Sequence, residues 1–399
     1  CAGASCGGSV SVAGGSGTAG YSAAGVNGSL YLDIDNPCTS GTLNDTCTIS
    51  QATVIGDGVT WSGTGSIVVT GSGSIYTACS GSRPSIDIDG DLTINSGTSM
   101  TANLTSLGVN NFTIETGAVF TGNIGTLTAT GDVTVNGTLN GNIPNTSATN
   151  VTIAAGGVIS ADGRGGAGNY QANGSGTGGG QGSMSTYNAG AGGAYGGAGG
   201  NSSTGRTGGS AYGSAANPVD FGSGGGGGYG TTGGAGGGAI KIVATGTITV
   251  NGSLTANGIQ GQPGSASYGD RGGSGGGAGG SIWLDGATLA GTGSIFAKGG
   301  NGGSDGWGAE YGGGGGGGII AAYYSIADTF YNGGAGTGSV SVAGGTATGS
   351  AQAGGTGRNN WIDSNGGDVT PDALDWTDIN GATFGYTLGN VVTITGINQ

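Results

Sequence analysis

The sequence predicts an all-β chain: a right-handed parallel β-solenoid with glycine-rich, polyglycine-II-like excursions and a short β tail. Three observations predict it. Short phrases alternate apolar with polar residues, as in "NFTIETGAVF" from Asn111. These phrases recur at a nearly constant step. Tracts such as "GSGGGGGYGTTGGAGGG" then interrupt them. Glycine supplies 106 of 399 residues and Pro only 6, without a Gly-X-Y triplet, which excludes collagen. With 14 Tyr, 5 Trp and only 7% charged residues, the chain also lacks the composition of a disordered one.

Residues 1–35 read as an N-terminal glycine-rich β cap. They contain "GSVSVAGG" at Gly8–Gly15, which returns unchanged at Gly338–Gly345. The octapeptide is a strand followed by a turn into glycine. Its first copy places the head of the chain within the repeating unit's register, and its second lets the tail continue into something like the head.

Residues 36–162 read as the parallel β-solenoid. Leu92, Phe112, Val133 and Val151 open successive phrases at a nearly even interval. Within each phrase the period is 2, so one strand face is buried. Asn-Gly, Thr-Gly or Gly-Gly closes each phrase and supplies positive φ. A recurring strand-rich unit of about 20 residues indicates a solenoid whose rungs bury Val, Ile and Leu on one another. An antiparallel sandwich is the competing fold.

Residues 163–345 read as a glycine-rich solenoid with a polyglycine bundle. Glycine is far denser over 163–238 than over 36–162, which sets a boundary near Asp162. Three β phrases persist, and Ile240, Ile282 and Ile320 recur at about double the earlier interval. Each phrase is followed by a glycine excursion. Extended glycine has about three residues per turn and no internal hydrogen bonds. Lacking Cβ, such segments can approach until backbone groups pair between neighbours. Flexible linkers are the alternative. Residues 346–399 read as a C-terminal β tail.

The cysteines all lie early, at Cys1, Cys6, Cys38, Cys47 and Cys79. No CxxC pair and no His occur, which argues against zinc and for disulfides in an extracellular or cell-surface setting. Cys38–Cys47 is the first choice of pair, followed by Cys1–Cys6 or Cys6–Cys79. One thiol is left over, open to a bond between subunits or, at Cys1, to lipid.

The net charge of −14 argues against nucleic acid, and no apolar run is long enough to span a membrane. Without His, Ser-His-Asp and Cys-His catalysis are excluded, and the chain is not expected to be an enzyme or to need a cofactor. The acids in "SIDIDGDLT" read first as solvated groups on a strand face. Calcium at Asp87, Asp89 and Asp91 is the second reading, because hard oxygen ligands suit it, although "DIDGD" lacks the spacing of a known calcium loop. Trp307 and Trp361, in glycine-rich loops, suit sugar stacking or the rim of the bundle. Runs such as "GTLTATGDVTVNGT" are too irregular to read as the Thr ladder of an ice-binding face.

The wording "GGSIWLDGATLAGTGSIFAKGGNGG", followed by "GGGGGGGIIAAYY", resembles glycine-rich repeats of large bacterial cell-surface proteins. The upstream "CTISQATVIGDGVTWSGTGSIVVTGSG" resembles the solenoid that precedes them there. The resemblance covers roughly Cys38 to Gly345 and brings no settled biochemical role. The stretch from Thr370 to Gln399 resembles the opening of a bacterial Ig-like repeat, with only its first two strands present. Two functions follow as expectations. One is a structural subunit of an extracellular filament or surface fibre, a homopolymer joined head to tail through Val10, Val12, Leu374, Trp376, Val392, Ile394 and Ile397. The other is an adhesin module that binds surface glycans.

Overall fold

The computed structural model describes residues 37–77, 82–185, 187–264, 272–304, 310–331 and 336–364. No helix occurs among them, and the strands pair in parallel, which excludes the antiparallel sandwich. A 16-stranded and a nine-stranded sheet form three columns. The first column stacks Thr46–Ile49, Ser66–Val69, Leu92–Ile94, Phe112–Ile114, Val133–Val135, Val151–Ile153 and Thr247–Val250, and continues through the second half of Ser281–Ala290 to that of Ile319–Asp328. The second runs from Ala52–Ile55 through Val119–Thr121 and Ser253–Thr255 to Ser339–Ser341. The third runs from Thr60–Gly63 through Leu104–Val109 and Ala239–Ala244 to Arg358–Asp363. The long strand Ser281–Ala290 joins the first and third columns because its two halves pair with different neighbours. This arrangement of stacked parallel sheets is consistent with a β-solenoid.

Register follows the apolar period. Phe112 lies opposite both Leu92 and Val133, and Val133 lies opposite Val151. Ile240, Ile282 and Ile320 form one row of the third column. Inward residues of all three columns meet in one core that runs from Cys47 to Trp361. Burying each such Val, Leu or Ile contributes about 1.5–3 kcal/mol. Phe112 and Phe120 meet edge to face inside it, with ring centroids 6.3 Å apart.

Corners carry their own pattern. Asp91, Asn111, Asp132 and Asn150 stack where the third column turns into the first. Asp91 Oδ1 accepts from the Asn111 backbone N–H at 3.0 Å, Asn111 Oδ1 from Asp132 at 2.8 Å, and Asp132 Oδ1 from Asn150 at 3.1 Å. A second ladder of Asn103, Asn123 and Asn142 marks the turn from the second column into the third. A short polar side chain at each rung thereby satisfies a backbone donor that the bend removes from the sheet.

That second corner also explains the glycine tracts. In early rungs it is crossed by Ala102–Asn103, Gly122–Asn123 and Gly141–Asn142 alone. In later rungs the same corner opens into 161–238, 256–280, 297–318 and 342–357. The change of composition near Asp162 is therefore the point where the first excursion leaves a coil that continues beyond it. Residues 346–363, read from sequence as part of the tail, complete the last layer and contribute Trp361 to the core.

Candidate functional site: a glycine bundle seated on the coil

The four excursions pack against one another through their backbones. Along 273–280 successive N–H groups point in three directions. Gly273, Gly276 and Gly279 donate to the carbonyls of Glu310, Gly313 and Gly316. Ser274, Gly277 and Gly280 donate to Gln262, Ile259 and Ala256, while Gly275 and Ala278 donate to Gly226 and Ser223. All eight bonds measure 2.7–3.0 Å. The next layer repeats the rule: Gly312, Gly315 and Gly318 donate to Gly303, Gly300 and Ala297, and Gly314 and Gly317 to Gln352 and Gly355. Each segment is held by several neighbours at a three-residue period, which offsets the high entropic cost of ordering glycine. Space requires glycine as well. A Cβ on Gly275 would overlap the carbonyl of Ala191, and one on Gly315 the carbonyl of Gly277.

Hydroxyls fasten this bundle to the coil. Tyr195 is completely buried and packs with Ala278 and Ile319. Its hydroxyl lies 2.7 Å from Ser281 Oγ, at the start of a coil strand, and Ser281 Oγ donates to the Asp220 carbonyl. Tyr212 meets the Tyr195 ring at 5.0 Å and bonds the Phe221 carbonyl at 2.6 Å and Ser223 Oγ at 2.8 Å. Burial pushes the Tyr195 phenol up to about 12 and raises that of Tyr212, because neither phenolate would be solvated. The sequence marked Tyr195 only as an aromatic within a glycine tract. Its partner Ser281 is 86 residues away, and no local signal links them.

The two ends of the coil differ. At the first, a disulfide joins Cys38 and Cys47, and Ser40 forms an antiparallel bridge to Thr48 across the edge of Thr46–Ile49. At the other end, Arg358–Asp363 pairs with Ile319–Asp328 and with no further strand among the described residues. The bundle ends alike. In the preceding layer Gly299 and Gly302 donate to Ala343 and Thr346, and Gly314 and Gly317 to Gln352 and Gly355. Their counterparts one layer on are Gly344, Ala347, Ala353 and Thr356, by the register Ser294↔Ser339 and Ile319↔Arg358. These four N–H groups find no acceptor among the described residues.

Other residues singled out from sequence fall as follows. Asp87 and Asp89 are exposed on the outer side of the third column, beside a groove of about 390 Å³ that Asn110, Thr128 and Thr130 also line. Asp91 stands apart in the corner ladder, where its Oδ1 accepts from Asn110 Nδ2 and Asn111 Nδ2, each at 2.9 Å. No cluster of three or more acidic, Cys or His groups that could hold a metal occurs among the described residues. Trp361 is a correction: it is buried in the core, stacked on Phe330 with centroids 6.1 Å apart, and is closed to sugars. Cys1, Cys6, Cys79, Val10, Val12, Trp307, Leu374, Trp376, Val392, Ile394 and Ile397 lie outside the described residues. No helix is long and apolar enough to cross a membrane among the described residues. No family model, curated protein or solved structure matches the chain.

Proposed function

We propose that the chain is a structural subunit of an extracellular filament or cell-surface fibre that adds further copies at its ends. The observation that carries this reading is the set of open donors at Gly344, Ala347, Ala353 and Thr356, in register with donors that the preceding layer uses. An unpaired strand edge templates another strand, and the edge of the bundle does the same for another glycine layer. Contacts between unlike ends give an open polymer. "GSVSVAGG" supports the reading. At Gly338–Gly345 it supplies Ser339–Ser341, the last strand of the second column, and then enters the terminal bundle layer. In this reading the coil is right-handed and the bundle is of the polyglycine-II type, with the identical segment around Val10 and Val12 meeting that layer from a neighbouring subunit. The Cys38–Cys47 disulfide supports an oxidising compartment. Negative-stain electron microscopy of the full chain tests it. Filaments with an axial repeat are expected, and single particles at every concentration would overturn it.

A second reading, an adhesin module for surface glycans, is favoured by Tyr170, which the bundle holds 59% exposed. A tyrosine with an open ring face suits sugar stacking. Saturable binding on a glycan array by non-polymerised chain would select it over the first.

A further inference from the structure

Strand register brings together a row of threonines that no stretch of sequence contains. Along the outer side of the first column Thr48 lies opposite Val68, then Thr93, Thr113, Thr134, Thr152 and Thr249 follow one strand at a time. Their partners are far apart along the chain, and Thr152 and Thr249 stand on either side of the whole first excursion. Adjacent strands lie about 4.7–4.9 Å apart, so the row is a ruled line of hydroxyl and methyl groups. Val68 keeps the branched shape and lacks the hydroxyl.

Three properties of this row bear on what it can bind. First, none of its six hydroxyls has a hydrogen-bond partner among the described residues. The outward Thr101 and Thr121 of the second column share this, but their row is broken by Tyr76 on one side and Asn140 on the other. Second, the row carries no charge on a chain of net charge −14. The acids beside it, Asp91 and Asp132, spend an oxygen each on Asn111 and Asn150 in the corner ladder, and Glu115 follows the strand end on the other side. Third, the β-branched side chains have few rotamers, and every backbone but that of Thr48, in the edge strand, is held on both sides by parallel strands.

An ionic partner has nothing to pair with on this line, and an apolar one would leave six hydroxyls unsatisfied. An uncharged lattice of hydrogen-bonding groups at a fixed spacing satisfies both conditions. We propose that this face binds ordered water at the surface of an ice crystal. Methyl groups hold the first water layer off the backbone, and the hydroxyls donate and accept at each strand repeat.

The test is ice-crystal shaping and thermal hysteresis of the full chain, read by nanolitre osmometry. The unaltered chain is expected to facet the crystals and hold them over a freezing gap. Thr113→Lys and Thr134→Lys, which break the line with a long charged group, should lose both effects. Thr134→Val, which keeps the size, should reduce the gap. Thr121→Lys, on the outer side of the second column, should leave both unchanged, with all variants checked for unaltered circular dichroism. Round crystals and no gap with the unaltered chain would overturn the proposal. An equal loss from Thr121→Lys and Thr134→Val would do so too. Neither readout depends on filament formation.

Discussion

Tyr195 of the first excursion and Ser281 of the coil share a buried hydrogen bond of 2.7 Å across 86 residues of sequence. Ser281 donates its own O–H to the Asp220 carbonyl, so Tyr195 is the donor of the pair. Bundle and coil are thereby fixed at one point by a side chain with no exposed surface.

Alkali should loosen this joint. The Tyr195 phenol is raised from 10.0 to about 12 in the folded chain, so its contribution is fully present below pH 10. It is lost as pH rises from 10 towards 12, where the unfolded chain ionises and the folded one does not. Two pH units correspond to about 3 kcal/mol. Denaturant titrations across that window should show the fall, with Tyr212 adding in the same direction. Tyr195→Phe should cost about 1 kcal/mol at neutral pH and flatten much of the alkaline loss.

Glycine packed against a neighbouring carbonyl in the bundle should be irreplaceable, and Gly355, which has none so close, should not. Gly275→Ala sets a methyl against the Ala191 carbonyl and should cost about 1–3 kcal/mol or more. Gly355→Ala, whose nearest neighbour is the Ala198 nitrogen at 3.2 Å, should cost about 1 kcal/mol or less. Paired thermal unfolding curves measure the difference, and equal costs would contradict the packing described for the bundle.

Removing the Cys38–Cys47 disulfide should act locally. The loop it closes spans nine positions, for which chain entropy gives about 2–3 kcal/mol. In Cys38→Ser/Cys47→Ser the amides of Thr39 and Thr48, which bond across the first strand edge, should exchange faster. Amides of the Val151 and Ile153 rung should keep their protection. Hydrogen exchange by mass spectrometry resolves the two regions.

Asn142 should be the costliest rung of its ladder. Its Oδ1 accepts from Ala239 N–H at 3.0 Å and its Nδ2 donates to the Arg164 carbonyl at 3.1 Å. It therefore holds both the departing and the returning arm of the first excursion. Asn142→Ala leaves the buried Ala239 N–H and the half-buried Arg164 carbonyl without this partner and should cost about 1–3 kcal/mol. Asn123→Ala should cost less, and denaturant midpoints rank the two.

The coil was legible because burial repeats. Leu92, Phe112, Val133 and Val151 align in sequence at the register they adopt in space, as do Ile240, Ile282 and Ile320. The corner ladder was also written there, unread: Asp91, Asn111, Asp132 and Asn150 each stand immediately before one of those apolar residues. Trp361 was misplaced because Ile362 is the one apolar residue beside it in "GRNNWIDSNGG", while its burial comes from Phe330 and Tyr331 of the previous layer. Thr93, Thr113, Thr134 and Thr152 of the threonine row were written in the sequence too, directly after Leu92, Phe112, Val133 and Val151, and only Thr249 lies across an excursion. The Tyr195–Ser281 pair leaves no periodic trace, because only the packing of the first excursion on the coil brings its members together.

The corner that carries Asn103, Asn123 and Asn142 has a bearing on how such a chain can change over generations. One rung crosses it on two residues and another takes 161–238 to do so, yet Ile143 and Ile240 still meet in the same row. Insertions there leave the hydrophobic stack intact, because both ends of the inserted segment return to one hinge point. Size, surface and external partners can thus be varied through a single port, while the residues that make the chain fold remain unaltered.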